Sequence, residues 1–102
     1  MTTDSNTAIK ERVEQQLKEP NLFKVIYMND DKTTMEFVVE SLMSVFDHSQ
    51  ETSVHITMEI HEQGSSVVAV LPYELAEQKG LEVTTMARNQ GYPLLVKMEE
   101  DA

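Results

Sequence analysis

The alternation of apolar and polar positions divides most of the chain into six elements. Leu22-Phe23-Lys24-Val25-Ile26-Tyr27-Met28 is crowded with β-branched and aromatic side chains, which predicts a strand. Asn29-Asp30-Asp31-Lys32 interrupts it with polar residues. Apolar positions return at Met35, Val38, Val39, Leu42, Met43 and Phe46, a spacing that forms one helical face. Ahead of that face, Thr33-Thr34-Met35-Glu36 reads as a capping box with Thr33 as the cap and Glu36 reaching back to it. Asp47-His48-Ser49 breaks the pattern, and Ser49 predicts the cap of a second helix running to about Gln63. In that helix Val54, Met58 and His61 share a face, with Ile56 and Ile60 beside it, and Gly64 supplies the stop.

Ser65 to Leu71 reads as a short buried strand, and Pro72 stands where a helix can begin. Leu75, Ala76, Lys79, Val83, Met86 and Ala87 trace a third helix that ends at Gly91 and Pro93. Gly80 is its weak point, costing roughly 1 kcal/mol relative to Ala. Leu94 to Met98 forms the last strand, before an acidic tail. The order strand, helix, helix, strand, helix, strand predicts an α+β fold, with three helices packed on one face of a small, mainly antiparallel three-stranded sheet.

Residues 1–20 stand apart. Ile9, Val13 and Leu17 make a thin apolar stripe on a helix too short to be stable alone, and Pro20 closes the segment. The expected organisation is a flexible extension over 1–20 and one core domain over 21–102.

Charge narrows the choice of partners. Asp+Glu number 18 against 8 Lys+Arg, a formal net charge of -10. That balance disfavours nucleic acid and anionic membranes and attracts cationic groups. No cysteine is present, so thiolate and disulfide chemistry are absent. Neither a signal peptide nor a run of about 20 apolar residues is visible, and a soluble cytoplasmic protein is expected.

The candidate chemistry is sparse. His48, His55 and His61 lack the i, i+4 spacing of a helical zinc site, and Asp30-Asp31 lacks the spacing of a calcium loop, so neither metal nor other cofactor is expected. Ser65 and Ser66 lie near His61 in sequence, but without a nucleophile elbow. A small hydrolase using His61 with Asp30 or Ser65 is one reading of these residues. A general interaction domain, with the polar corner incidental, is another. The third is a binding corner: Asn29, Asp30 and Asp31 on a strand-to-helix turn, beside the positive end of a helix dipole, suited to a small cation.

Asn29-Asp30-Asp31 followed by Thr33, Met35-Glu36-Phe37-Val38 and His61-x-Gln63-Gly64 closely resembles the ClpS adaptor family. Glu74-Leu75-Ala76-Glu77-x-Lys79 and Pro93-Leu94-Leu95 extend the likeness collinearly over about residues 22 to 99. The resemblance implies a non-enzymatic bacterial adaptor. It would bind proteins through an N-terminal Leu, Phe, Tyr or Trp and deliver them to a Clp AAA+ unfoldase for degradation. It further implies that Asn29 and His61 accept hydrogen bonds from the free α-amino group, that Asp30 supports it by charge or through water, and that Asp31 orients the neighbouring backbone.

Thr33, Met35, Val38, Ile60 and Leu94 match the family's side-chain pocket. Tyr27 and Thr57 stand at pocket positions where relatives commonly carry leucine and methionine. Glu74 and Lys79 match positions that face the unfoldase N-domain, of ClpA or ClpC type, and the extension matches a mobile segment needed for delivery. A monomer is expected.

Overall fold

The computed structural model describes residues 21–101, so the extension read over 1–20 lies outside the described residues. The elements, in chain order, are β1 (Leu22–Met28), α1 (Met35–Phe46), α2 (Gln50–Gln63), β2 (Ser65–Pro72), α3 (Tyr73–Asn89) and β3 (Leu95–Glu100). β1 is the central strand, antiparallel to β2 on one side and to β3 on the other. Its pairing opposes Met28 to Ser65 and to Leu95, and a bulge near Val25 and Ile26 shifts the register against β2.

Alternation along β1 sends Val25 and Tyr27 to the same face, where both are fully buried. Phe37, Val38, Leu42 and Val45 of α1 and Ala76, Val83 and Ala87 of α3 join them in one core. Burying each of the larger of these side chains is worth about 1.5–3 kcal/mol. β3 runs two residues further than its apolar pattern suggests, because Glu99 pairs across from Lys24 and the Lys24 ammonium lies 3.8 Å from the Asp101 carboxylate.

Two local readings of the sequence are corrected. The cap of α1 is Thr34, whose hydroxyl accepts from the Phe37 N–H at 3.2 Å. The Thr33 hydroxyl is turned instead to the Asp30 carboxylate, to which it donates at 2.7 Å. Moving the cap by one residue puts Phe37, not Glu36, at the position from which a capping-box acid reaches back. The second correction concerns α2. Ser49 caps it and Gly64, at φ 91°, ends it as expected. Its buried stripe, however, is Ser53, Thr57 and Ile60, while Val54 and Met58 are 44% and 40% exposed.

Candidate functional site

The corner after β1 is shaped by Asp30. One of its carboxylate oxygens accepts from the Lys32 N–H at 2.8 Å and the Thr33 N–H at 2.7 Å. The other accepts from the Thr33 hydroxyl at 2.7 Å. Desolvation raises the carboxyl's pKa, but these hydrogen bonds and the Arg88 guanidinium outweigh it and hold the group below its ordinary value. The corner therefore carries a fixed negative charge at neutral pH. Asn29 donates its own N–H to the Gly64 carbonyl at 2.9 Å, which ties the corner to the end of α2. The αL turn at Gly64, open to glycine at no steric cost, makes that approach possible.

This tie brings His61, in the last turn of α2, beside Asn29. The two elements enclose a hollow of about 220 Å³ lined by Asn29, Asp30, Asp31, Thr33, Met35, Val38, Thr57, Ile60 and His61. Asn29, Asp31 and His61 are exposed, whereas Val38, Thr57 and Ile60 are buried. The hollow thus has an anionic, hydrogen-bonding mouth and a mostly apolar interior. It is smaller than the roughly 300–1,000 Å³ of drug-sized ligand sites, so its scale is that of a single side chain.

Nine of the residues singled out in the sequence meet here; Tyr27 and Leu94 do not line the hollow. Tyr27 points into the core, where its hydroxyl hydrogen-bonds Ser41 at 2.8 Å and burial pushes the phenol well above its ordinary pKa. Leu94 is 1% exposed, and its carbonyl accepts from Arg88 at 2.9 Å. Both belong to the buried core. On α3, Glu74 is exposed in the first turn, while Lys79 is half-buried and donates to the Val45 carbonyl at 2.8 Å. That bond satisfies one of the carbonyls left over at the end of α1. A shallower depression of about 540 Å³ runs along the outside of α1 between Met35 and Ser44, bordered by Glu36 and Glu40.

The remaining histidines do not line the hollow. His48 donates from Nε2 to the Val68 carbonyl at 2.7 Å, and His55 lies 4.0 Å from Glu59. The Ser66 hydroxyl donates to Glu59 at 2.8 Å. Among the described residues no three His, Cys, Asp or Glu side chains converge as a metal site, and no helix is long and apolar enough to cross a membrane. Two contributors escaped the sequence reading. Arg88 acts on Asp30 electrostatically from the far end of α3, and Ser53 lies behind Thr57 on the buried stripe of α2. Neither gives a local signal, since a basic residue in a last turn and a serine in a helix are both commonplace.

Fold and site together define a small α+β binding domain. The family model described as "ATP-dependent Clp protease adaptor protein ClpS" matches residues 18–97. The ClpS adapter of Nautilia profundicola is 46% identical over 81 residues, covering 79% of this chain and 84% of that one. That of Helicobacter hepaticus is 40% identical over 96 residues, covering 94% and 97%. Among solved structures, Agrobacterium tumefaciens ClpS2 bound to L-phenylalaninamide superposes with a TM-score of 0.78 at 38% identity, over 81% of this chain and all of that one. The chain belongs to the ClpS family of Clp protease adaptors.

Proposed function

We propose that the chain binds proteins bearing an N-terminal Leu, Phe, Tyr or Trp through their free α-amino group, and delivers them to a Clp AAA+ unfoldase for degradation. The observation that carries this reading is the hollow itself, with an anionic hydrogen-bonding mouth over an interior the size of one side chain. A relative bound to L-phenylalaninamide, which has a free amine and an aromatic side chain, supports it.

In this mechanism the ammonium presents three donors. The Asn29 side-chain oxygen and an unprotonated His61 nitrogen accept two of them. Asp30 contributes its charge, since its oxygens already accept three hydrogen bonds within the corner. Asp31 steers the backbone that follows, and Met35, Val38, Thr57 and Ile60 surround the side chain. Charge-assisted hydrogen bonds contribute about 1.5–3 kcal/mol each. Burying a Leu or Phe adds about 1.5–3 kcal/mol. Micromolar binding requires about 8 kcal/mol, so amine and side chain must be held together.

The role is recognition and hand-over, without covalent chemistry. Glu74, exposed on α3, and Lys79 behind it are assigned to contact with the unfoldase N-domain. Fluorescence anisotropy with labelled peptides differing only at residue one tests the reading. Phe, Leu, Tyr and Trp peptides are expected to bind and Ser and Val peptides to bind weakly. Equal affinity for all of them would overturn it.

A further inference from the structure

We propose that the segment over residues 1–20 docks as a helix on the open face of the sheet, held there by Ile9, Val13 and Leu17. The inference is independent of the peptide-binding reading and concerns an interaction surface away from the hollow.

The helices α1, α2 and α3 pack on the sheet face that carries Val25 and Tyr27. Alternation puts Lys24, Ile26 and Met28 of β1 on the other face. The register sets Val67 and Val70 of β2 and Leu95 of β3 beside them on that face. An antiparallel sheet with one solvated face ordinarily carries polar side chains there. Here Lys24 and Lys97 are outnumbered by apolar groups, of which Val67 and Val70 are each 42% exposed and Leu95 49%. None of these apolar side chains belongs to the core cluster. β2 reads Val67-Val68-Ala69-Val70-Leu71, a continuous apolar series of the kind found in strands covered on both faces. The strand is built to be covered twice, and the described helices cover it once.

Residues 1–20 supply both the matching stripe and the connection. Ile9, Val13 and Leu17 recur every four residues, a spacing that places them on one side of a helix. A helix that short is marginal unless its apolar side packs on something. β1 begins at Leu22, so Pro20 and Asn21, both turn-forming residues, are all that joins the segment to the central strand. Helix-to-strand loops of about 2–6 residues are the usual ones in units that lay a helix along the sheet it enters. Three helices already occupy one face, which leaves the apolar one. A helix over residues 7–19 spans roughly 20 Å and β1 roughly 23 Å, so the two lengths match. The tether raises the local concentration of the segment to about the millimolar range, enough for a contact too weak to capture a separate chain. A second copy is the poorer occupant, because each chain carries a formal net charge of -10. Docked in this way, the segment is withheld from any other partner until it is peeled off the sheet.

The chain has no cysteine, so Gln15→Cys, on the side of the predicted helix away from the stripe, accepts a single nitroxide label. In ¹H–¹⁵N spectra of the full chain, the label is expected to cause a selective loss of intensity at the amides of Ile26, Val67, Val70 and Leu95. Adding Val13→Asp, which touches none of the described core, is expected to restore most of that intensity. Uniform broadening, broadening centred on the outer face of α1, or a pattern that Val13→Asp does not move overturns the proposal. The same pattern between separate nitroxide-labelled and ¹⁵N-labelled chains in a mixture also overturns it, since the face is then taken by a second copy.

Discussion

Asp30 holds the corner in shape and also supplies its charge, and two substitutions separate those roles. Asp30→Ala removes the acceptor for the Lys32 and Thr33 N–H groups and for the Thr33 hydroxyl. Because the corner is only partly buried, the freed donors regain water, and the loss resembles that of a helix cap, about 1–2 kcal/mol. Asp30→Asn keeps one oxygen for the two N–H groups. Its amide NH₂ then faces the Thr33 hydroxyl, which rotates to accept, so the stability cost should stay below about 1 kcal/mol. Binding should respond differently. A carboxylate about 4 Å from an ammonium is worth between about 1 kcal/mol in bulk water and about 4 kcal/mol at the effective dielectric near a protein surface. Removing the charge should therefore weaken a Phe-initiated peptide by at least about five-fold. Urea denaturation and peptide anisotropy on both variants give the two numbers. An Asp30→Asn protein that binds as tightly as wild type would refute the charge argument and leave Asp30 as a turn-former only.

Three other outcomes follow from the same structure. Gly80→Ala should stabilise the chain by about 0.5–1 kcal/mol, raising the melting temperature by several degrees. The added Cβ meets only the Val96 side chain at 3.6 Å, an ordinary contact; a lower melting temperature would contradict this. Tyr27→Phe should cost about 1 kcal/mol of stability, since Ser41 still donates to the Val38 carbonyl, and should leave peptide affinity unchanged. A selective loss of binding would instead place Tyr27 in the site. Affinity should decline as the pH rises from 7 through the free pKa of the ligand's amine, near 7.7–8.0, because the amine binds as the cation. Isothermal titration between pH 7 and 9.5 checks this, and a flat profile counts against the clamp. At the acid end the sign reverses. The Asp30 carboxyl titrates below its ordinary 3.8, so its support of the corner is present above that value and is lost as the pH falls through the lower folded one. The Thr33 amide resonance reports that step.

Sequence carried the fold wherever apolar side chains marked the inward face. β1 and the α1 stripe are legible for that reason, as are the Ser49 cap and the Gly64 stop. α2 was misread because its inward face is built from Ser53 and Thr57, small hydroxyl residues that hydropathy assigns to solvent. Thr57 tolerates burial by donating its hydroxyl to the helix backbone, a solution with no hydrophobic signature. The capping-box pattern predicts Thr33 as the cap of α1, but the Thr33 hydroxyl turns to Asp30 and Thr34 caps the helix. The polar mouth is legible as a turn suited to a small cation, but spacing alone does not join His61 to it. Only the tie from Asn29 to Gly64 brings His61 alongside, thirty-two positions away in the chain. Tyr27 and Leu94 are assigned to the pocket by the family resemblance alone, and in this structure both are buried in the core and neither lines the hollow.

The most direct test of the account is a ¹H–¹⁵N correlation titration of the chain with L-phenylalaninamide, run beside its N-acetylated form. The free amine should shift resonances of Asn29, Asp30, Thr33, Val38, Thr57, Ile60 and His61, and acetylation should abolish those shifts. Equal shifts from both compounds, or shifts confined to the outer face of α1, would contradict the claim that this hollow clamps a free N-terminus.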